Sequence, residues 1–314
     1  PVASCTSCKS GPSGGMGDFI IQIAGTEQGA RLASILAITA AFLHAVFGAL
    51  QKGRHDPWIS RAAIDLSYLV LALPVALFLV PWPDPHLWPV LAGAMGIHIA
   101  YKIAQAKTYQ RGAFTVVYPV VRGSAPLVVV LVAMIVFDER FNAVQWVGLG
   151  LLVGGIFGLA LNSLRKLKVG RDTLVPALAW ALITGVTVAA YTTYDAWGIR
   201  LAANPFTFLA WFFVLDGLFM PLLSWRRLAA LPWAEVAPLA ARGMIGAVVA
   251  FASFGSVMLA TRIDDVGRAA VLRETSTVFA ALVGWVILGE KVGPRRVALM
   301  ALIALGAVIV EFAA

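Results

Sequence analysis

The stretch AFTVVYPVVRGSAPLVVVLVAMIVF, residues 113–137, decides the fold. It is apolar from end to end apart from one charge, Arg122. At 1.5 Å per residue it is long enough to cross a hydrocarbon core of roughly 30 Å. A second such run, residues 269–288, contains Val271-Leu272-Arg273-Glu274-Thr275-Ser276, and a third, residues 87–106, contains His98-Ile99-Ala100-Tyr101-Lys102. A charge at the centre of a spanning helix costs about 2.5–3.5 kcal/mol on insertion scales. Such a residue faces a partner or a wet cavity, so the chain is expected to hold a polar cavity at membrane depth.

Composition agrees. Of 314 residues, 60% are hydrophobic and 13% charged, with a mean hydropathy of +0.86. A soluble domain has roughly 45–50% apolar and about 25% charged residues, an excess that a bilayer absorbs and one water-filled surface does not. The formal charge of +8 is no nucleic-acid signal, because the basic residues lie in short loops between apolar runs. Cys5-x-x-Cys8 stands alone, without the further ligands a zinc site needs. There is no H-E-x-x-H, G-x-S-x-G or P-loop, so no enzyme is expected, and no cofactor or metal.

Spans are read near 32–50, 62–80, 87–106, 113–137, 144–161, 174–198, 205–223, 244–260, 269–288 and 297–312. Residues 1–30 are expected to be an extramembrane, disordered segment, with 1–15 an upstream extension. Trp58, Trp82, Trp88, Trp225 and Trp233 fall near span ends, as an interfacial belt requires. The longest polar connection, 163–172, lies near the midpoint and invites a repeat test. One offset of 151 places Asp138-Glu139-Arg140 on Gly289-Glu290-Lys291, Arg122 on Arg273, Gly155 on Gly306 and Asp65 on Asp216. The chain therefore reads as two five-span halves, residues 31–165 and 174–314, joined by a basic loop at 166–173. Five is odd, so the second half enters from the opposite side, and a binding site is expected near the midplane between halves. Loops after odd-numbered spans hold fifteen Lys and Arg residues, against six in the even loops and tails. The positive-inside rule places the odd loops in the cytoplasm.

Arg122 and Arg273 are the leading substrate-binding candidates, two forked guanidinium groups suited to phosphate, phosphonate or carboxylate. The alternative is structural ion pairing, of Arg122 with Asp65 or Asp216, and of Arg273 with Glu274 or one of those aspartates. Tyr118, Tyr191, Tyr194 and Lys102 are further substrate-binding candidates, although Lys102 near its helix end also suits snorkelling to the interface. Thr184, Thr187, Tyr191 and Asp195 share one helix face, which should turn to protein or water. His44, His98, Asp65, Asp195, Asp216 and Glu274 are proton-coupling candidates. Glu139 and Glu290 read as helix-end residues in solvated turns. Gly148, Gly150, Gly154 and Gly155 suit close helix packing.

Residues 112–140, with Pro126 and the terminal Asp138-Glu139-Arg140, resemble the fourth helix of an EamA repeat of the drug/metabolite transporter superfamily. Residues 267–291 resemble the corresponding ninth helix, and the glycine-bearing runs that follow each resemble the fifth and tenth. The resemblance covers 31–314. It implies an all-α integral membrane protein of ten transmembrane helices in two inverted five-helix EamA repeats. Family members commonly have an arginine in the second helix where Asp65 stands here, and the termini are usually drawn as cytoplasmic, opposite to the charge count. The run Tyr-Pro-x-x-Arg-Gly-x-Ala-Pro resembles a branch linked by name to phosphonate use.

The resulting expectation is a secondary transporter, exporting or exchanging a small polar organic metabolite, anionic or zwitterionic, in an inner or plasma membrane. The alternatives are an exporter of amines or cationic drugs that uses the carboxylates, and a non-transporting scaffold. Its partners would be a small-molecule substrate and the lipid bilayer, with no nucleic acid, as a monomer or homodimer.

Overall fold

The computed structural model describes residues 15–51, 56–112, 114–165, 171–286 and 293–313. They form helices throughout: α1 (Met16–Ile23), α2 (Glu27–Gln51), α3 (Pro57–Pro74), α4 (Leu87–Arg111), α5 (Phe114–Val136), α6 (Ala143–Leu164), α7 (Arg171–Leu201), α8 (Pro205–Ala229), α9 (Trp233–Ile263), α10 (Val266–Arg273), α11 (Ser276–Val286) and α12 (Pro294–Phe312). Eight of them, α2 to α9, are long and apolar enough to cross a membrane, α3 counting with the π-helical turn at 75–79 that extends it. The α12 run is as apolar but carries Arg295, Arg296 and Glu311 at its ends.

Local chemistry sets the boundaries. Asp56 accepts from the Trp58 amide with Pro57 at the first helical position, starting α3. Asn142 and Gln145 form a capping box on α6. Asn204 followed by Pro205 starts α8. Residues 16–30 were expected to be disordered, but α1 and the first turn of α2 are helical. Thr26 accepts from the Gly29 amide, and the Gly25 amide bonds the Ile263 carbonyl, tying this corner to the end of α9.

Four closely packed helix pairs run antiparallel. In α2 and α9, Ser253 donates to the Ala40 carbonyl; in α4 and α7, Thr108 meets Thr184 and His98 meets Asp195. The corresponding helices of the two halves, α3 with α8 and α6 with α12, also pack together antiparallel. Their backbones approach so closely that glycine is required. A Cβ on Gly155 would lie 3.0 Å from the Leu299 carbonyl oxygen, and one on Gly306 would lie 2.5 Å from that of Gly148. Adding 151 to Gly155 and subtracting it from Leu299 turns the first contact into the second, so the sequence offset is also a spatial symmetry.

The fourth helix of the second half is broken. Between α10 and α11 the amides of Glu274, Thr275 and Thr277 bond carbonyls three residues back. In α5 the matching level is loosened differently, because Pro126 has no N–H for the Arg122 carbonyl. Both helices are thus irregular where their arginines sit. The span expected from residue 244 starts earlier, since α9 runs for 31 residues from Trp233. Of the tryptophans expected at the interface, Trp82, Trp88, Trp225 and Trp233 are exposed and Trp58 is half-buried.

Candidate functional site

Apart from Glu139, the buried charges fall into three groups. In the first, Arg122 and Arg273 are each 5% exposed and share one carboxylate, that of Glu274, which is 1% exposed. Arg122 Nε lies 2.8 Å from Glu274 Oε2, and Arg273 Nε lies 3.9 Å from Oε1. Arg122 Nη2 donates to Ser276 Oγ at 2.7 Å, and Arg273 Nη2 donates to Thr192 Oγ1 at 3.4 Å. Tyr118, one turn before Arg122, also interacts with Ser276. Half-buried His44 on α2 lies in the field of both arginines. The α10–α11 break is what brings Arg273, Glu274 and Ser276 together. Arg122 was expected to pair, if at all, with an aspartate; its partner is Glu274.

The second group is Arg61, Asp65, Lys102 and Asp216. Lys102 Nζ lies 2.8 Å from Asp65 Oδ2 and 2.9 Å from Asp216 Oδ1, and Arg61 Nε lies 2.7 Å from Asp65 Oδ1. Lys102 does not snorkel. At 7% exposure it is held between the two symmetry-related aspartates, whose attraction outweighs the pull of the interface. Arg61, read from sequence only as a loop charge, completes a neutral set of four. The spacing Arg61-x-x-x-Asp65 on one helix face was the available signal.

The third group is His98 and Asp195, with Nε2 to Oδ2 at 2.8 Å. Tyr191, Phe212 and Phe254 surround the imidazole at 4.6, 4.9 and 5.6 Å between ring centroids. The stripe expected on α7 therefore faces α4: Thr184 pairs with Thr108, and Tyr191 and Asp195 meet His98. Tyr194 stands apart, its hydroxyl against Gly93 and its ring on Trp197.

Glu139 is not in a solvated turn. It is 7% exposed and accepts from the amides of Val266 and Gly267 at 2.6 and 2.9 Å, capping α10 from the end of α5. Arg200 lies 4.0 Å from Glu139, donates to the carbonyls of Thr261 and Asp264, and stacks on Phe137. The ends of α5, α7 and α9 and the start of α10 are knotted together there. Burial pushes the Glu139 carboxyl above its ordinary range, against the two amides that lower it, and burial raises that of Asp265 as well. Glu290 lies outside the described residues.

The expected hollow is nearly shut in this conformation. Tyr191, Thr192, Asp195, Phe254 and Arg273 help line a void of about 10 Å³, room for about one water. The larger cavity, about 360 Å³, lies at the end of the bundle beside α1 and is lined by Asp18, Trp82, Asp84 and Asn204 among others. None of the predicted site residues lines it. Among the described residues no cluster of His, Cys, Asp or Glu suits a metal ion.

Three comparisons bear on this architecture. The model of the EamA-like transporter family matches residues 31–161 and 175–312. No curated protein matches the sequence significantly. A crystal structure described only as that of a protein aligns with a TM-score of 0.69 and 20% identity, covering 90% of this chain and 99% of that one. At that identity it speaks for the fold alone.

Proposed function

The chain belongs to the EamA-like transporter family, and from that premise we propose that it is a secondary transporter of small organic anions, working by alternating access between two inverted five-span repeats. In this reading α10 and α11 form one interrupted span and α12 the last, giving ten. Discontinuous helices at mid-depth are where transporters of this kind place their substrate. The protein is a multi-pass membrane protein, and we place it in an inner or plasma membrane with the odd-numbered loops in the cytoplasm.

One observation carries the substrate class. Two buried guanidinium groups converge on the single carboxylate of Glu274. Locally one positive charge is left over, and Arg273 Nε has no hydrogen-bond partner in the protein. A carboxylate, sulfonate or phosphonate supplies the missing charge and the acceptors for a forked donor. Arg122, Arg273, Tyr118, Ser276 and Thr192 would form its seat, with Tyr191 at the edge. Export of amines is less well supported, because Asp65, Asp216, Glu274 and Asp195 each have a basic partner within 2.9 Å. A scaffold would account for the pairs but leaves the second arginine over Glu274 without a purpose.

The test is thermal stabilisation of the purified protein by a panel of small carboxylates, sulfonates and phosphonates against quaternary amines. A ligand at 100 times its Kd adds about 2.7 kcal/mol of stability. Stabilisation by anions alone, lost in Arg273→Ala, supports the reading. Stabilisation by amines alone overturns it.

A further inference from the structure

The His98–Asp195 pair has no part in seating the anion, yet its Asp195 borders the same void as Arg273. Asp195 is 2% exposed; its Oδ2 meets His98, while its Oδ1 has no partner. The titratable groups around the pair come from several helices. On α4 they are Tyr101 and Lys102; on α7, Tyr191 and Tyr194; on α8, Asp216; on α10, Arg273; and beyond Arg273, Arg122 on α5 and His44 on α2. The facing part of α9 presents Phe254 and no titratable group. Lys102 and Asp216 belong to the neutral set with Arg61 and Asp65. Protonation of the imidazole exposes the positive charge that Arg122 and Arg273 hold in excess of Glu274; while the imidazole is neutral Asp195 offsets that excess, and the sum is zero. An anion entering that low-dielectric space would leave one uncompensated negative charge, which is costly. Unlike a guanidinium, an imidazole beside a carboxylate can gain and release a proton; His44 has two guanidinium groups in its field where His98 has the Asp195 carboxylate.

We propose that His98 and Asp195 hold a proton that travels with the anion: one enters the pair as a singly charged anion seats on the arginines, and it leaves with the anion on the other side. This rests on the anion reading above. The step is a simple protonation. Neutral imidazole beside carboxylate gains a proton from water and becomes imidazolium beside carboxylate; release breaks the same N–H bond and returns the proton to water. A bare monoanion that crosses the membrane carries net charge through the membrane potential. With its proton the loaded protein crosses without net charge, so export follows the gradient of the acid, and exchange of one acid for another is electroneutral.

The experiment is titration calorimetry of the purified full chain with acetate, lactate and ethanesulfonate, none of which titrates near neutral pH. Buffers of different ionisation enthalpy report proton uptake. The wild type should take up about one proton per anion, with affinity falling about tenfold per pH unit above the range where the pair titrates. Asp195→Asn leaves a permanent positive charge at the site. It should bind anions with little proton uptake and keep its affinity at alkaline pH, an outcome that a merely structural role for Asp195 does not give. His98→Gln should bind more weakly than wild type at neutral pH, with no uptake, and it stands in should the Asn variant fail to fold. Anion binding by the wild type with no proton uptake overturns this inference and leaves the anion reading intact. No binding of any anion between about pH 5 and pH 9 overturns both.

Discussion

Arg122 reaches its own counterpart in the other repeat: its guanidinium donates to the backbone carbonyl of Arg273, 151 residues on, at 3.4 Å. The two halves thus meet at the residues that an offset in the sequence had already paired. The meeting is unequal, because Glu274 follows Arg273 while Gly123 follows Arg122. Symmetry supplies two cations and the sequence of one half supplies one anion, and the local surplus of charge follows.

That inequality gives the first prediction. Glu274→Gln removes the shared carboxylate and leaves both guanidinium groups for a ligand. Small carboxylates should bind about tenfold more tightly or better by calorimetry, while the protein melts at a lower temperature, since buried like charges then face each other. Weaker anion binding by a folded Glu274→Gln protein would sink the idea that Glu274 competes with the substrate for the two guanidinium groups.

Arg122→Ala and Arg273→Ala should each abolish anion-dependent flux in proteoliposomes while the protein still inserts. Their stabilities should differ. Arg122 makes the shorter contact with Glu274 and the bond to Ser276, so its removal strands more buried polar atoms and should cost about 3–5 kcal/mol. Removal of Arg273, held by contacts of 3.4 and 3.9 Å, should cost less. Chemical denaturation in mild detergent makes the comparison, and equal losses would contradict the assigned pairing.

Lys102 should behave as a structural group. Lys102→Met leaves Asp65 and Asp216 facing one another with Arg61 alone between them, and should cost about 3–5 kcal/mol. Adding Asp216→Asn removes the stranded charge and should restore part of the loss. Relative affinities across the anion panel should not move in the double variant; a change in selectivity would return Lys102 to the binding site.

The repeat, eight of the spans and the burial of the arginines were legible in sequence because they depend on length, periodicity and one offset. The pairing of charges was not. Whether Lys102 meets solvent or an aspartate is decided by helix rotation and by contacts across 37 and 114 residues, which spacing on a single helix does not encode. The break after Arg273 was also hidden, since no Gly or Pro marks Glu274-Thr275. Glu139 looked like a surface residue because its two donors lie 127 and 128 residues away.

Glu139 yields a prediction with a pH signature. Glu139→Ala uncaps α10 and should cost about 0.5–2 kcal/mol. Glu139→Gln keeps an acceptor and should be milder. Burial raises this carboxyl's pKa on folding, so the native state binds its proton more firmly than the unfolded chain does. Its stabilising contribution is full at acid pH and is lost as pH rises through the raised value. The wild type should therefore gain on the Gln variant as pH falls from neutral toward 4.5, the ordinary value for this side chain. A gap that narrows on acidification would mean that the two amides, not burial, control the group.

Orientation is open to a direct measurement. The turn at 81–86, the Asn204 turn and the α9–α10 turn lie at one end of the bundle with α1: Thr207 donates to the Pro81 carbonyl, Gly17 packs on Asn204, and Gly25 bonds Ile263. Arg165 lies at the opposite end, after α6, where the excess of basic residues falls. Single cysteines at Asp84 and Arg165, with Cys5 and Cys8 replaced by Ser, should react with a membrane-impermeant maleimide from opposite sides. The positive-inside rule predicts Asp84→Cys labelled from outside intact cells and Arg165→Cys only after permeabilisation. The reverse pattern would turn the protein over and place α1 and the Glu139–Arg200 knot on the cytoplasmic face. The proposed anion seat would be untouched by that outcome, because Arg122 and Arg273 are related by the repeat offset and meet where the two halves join.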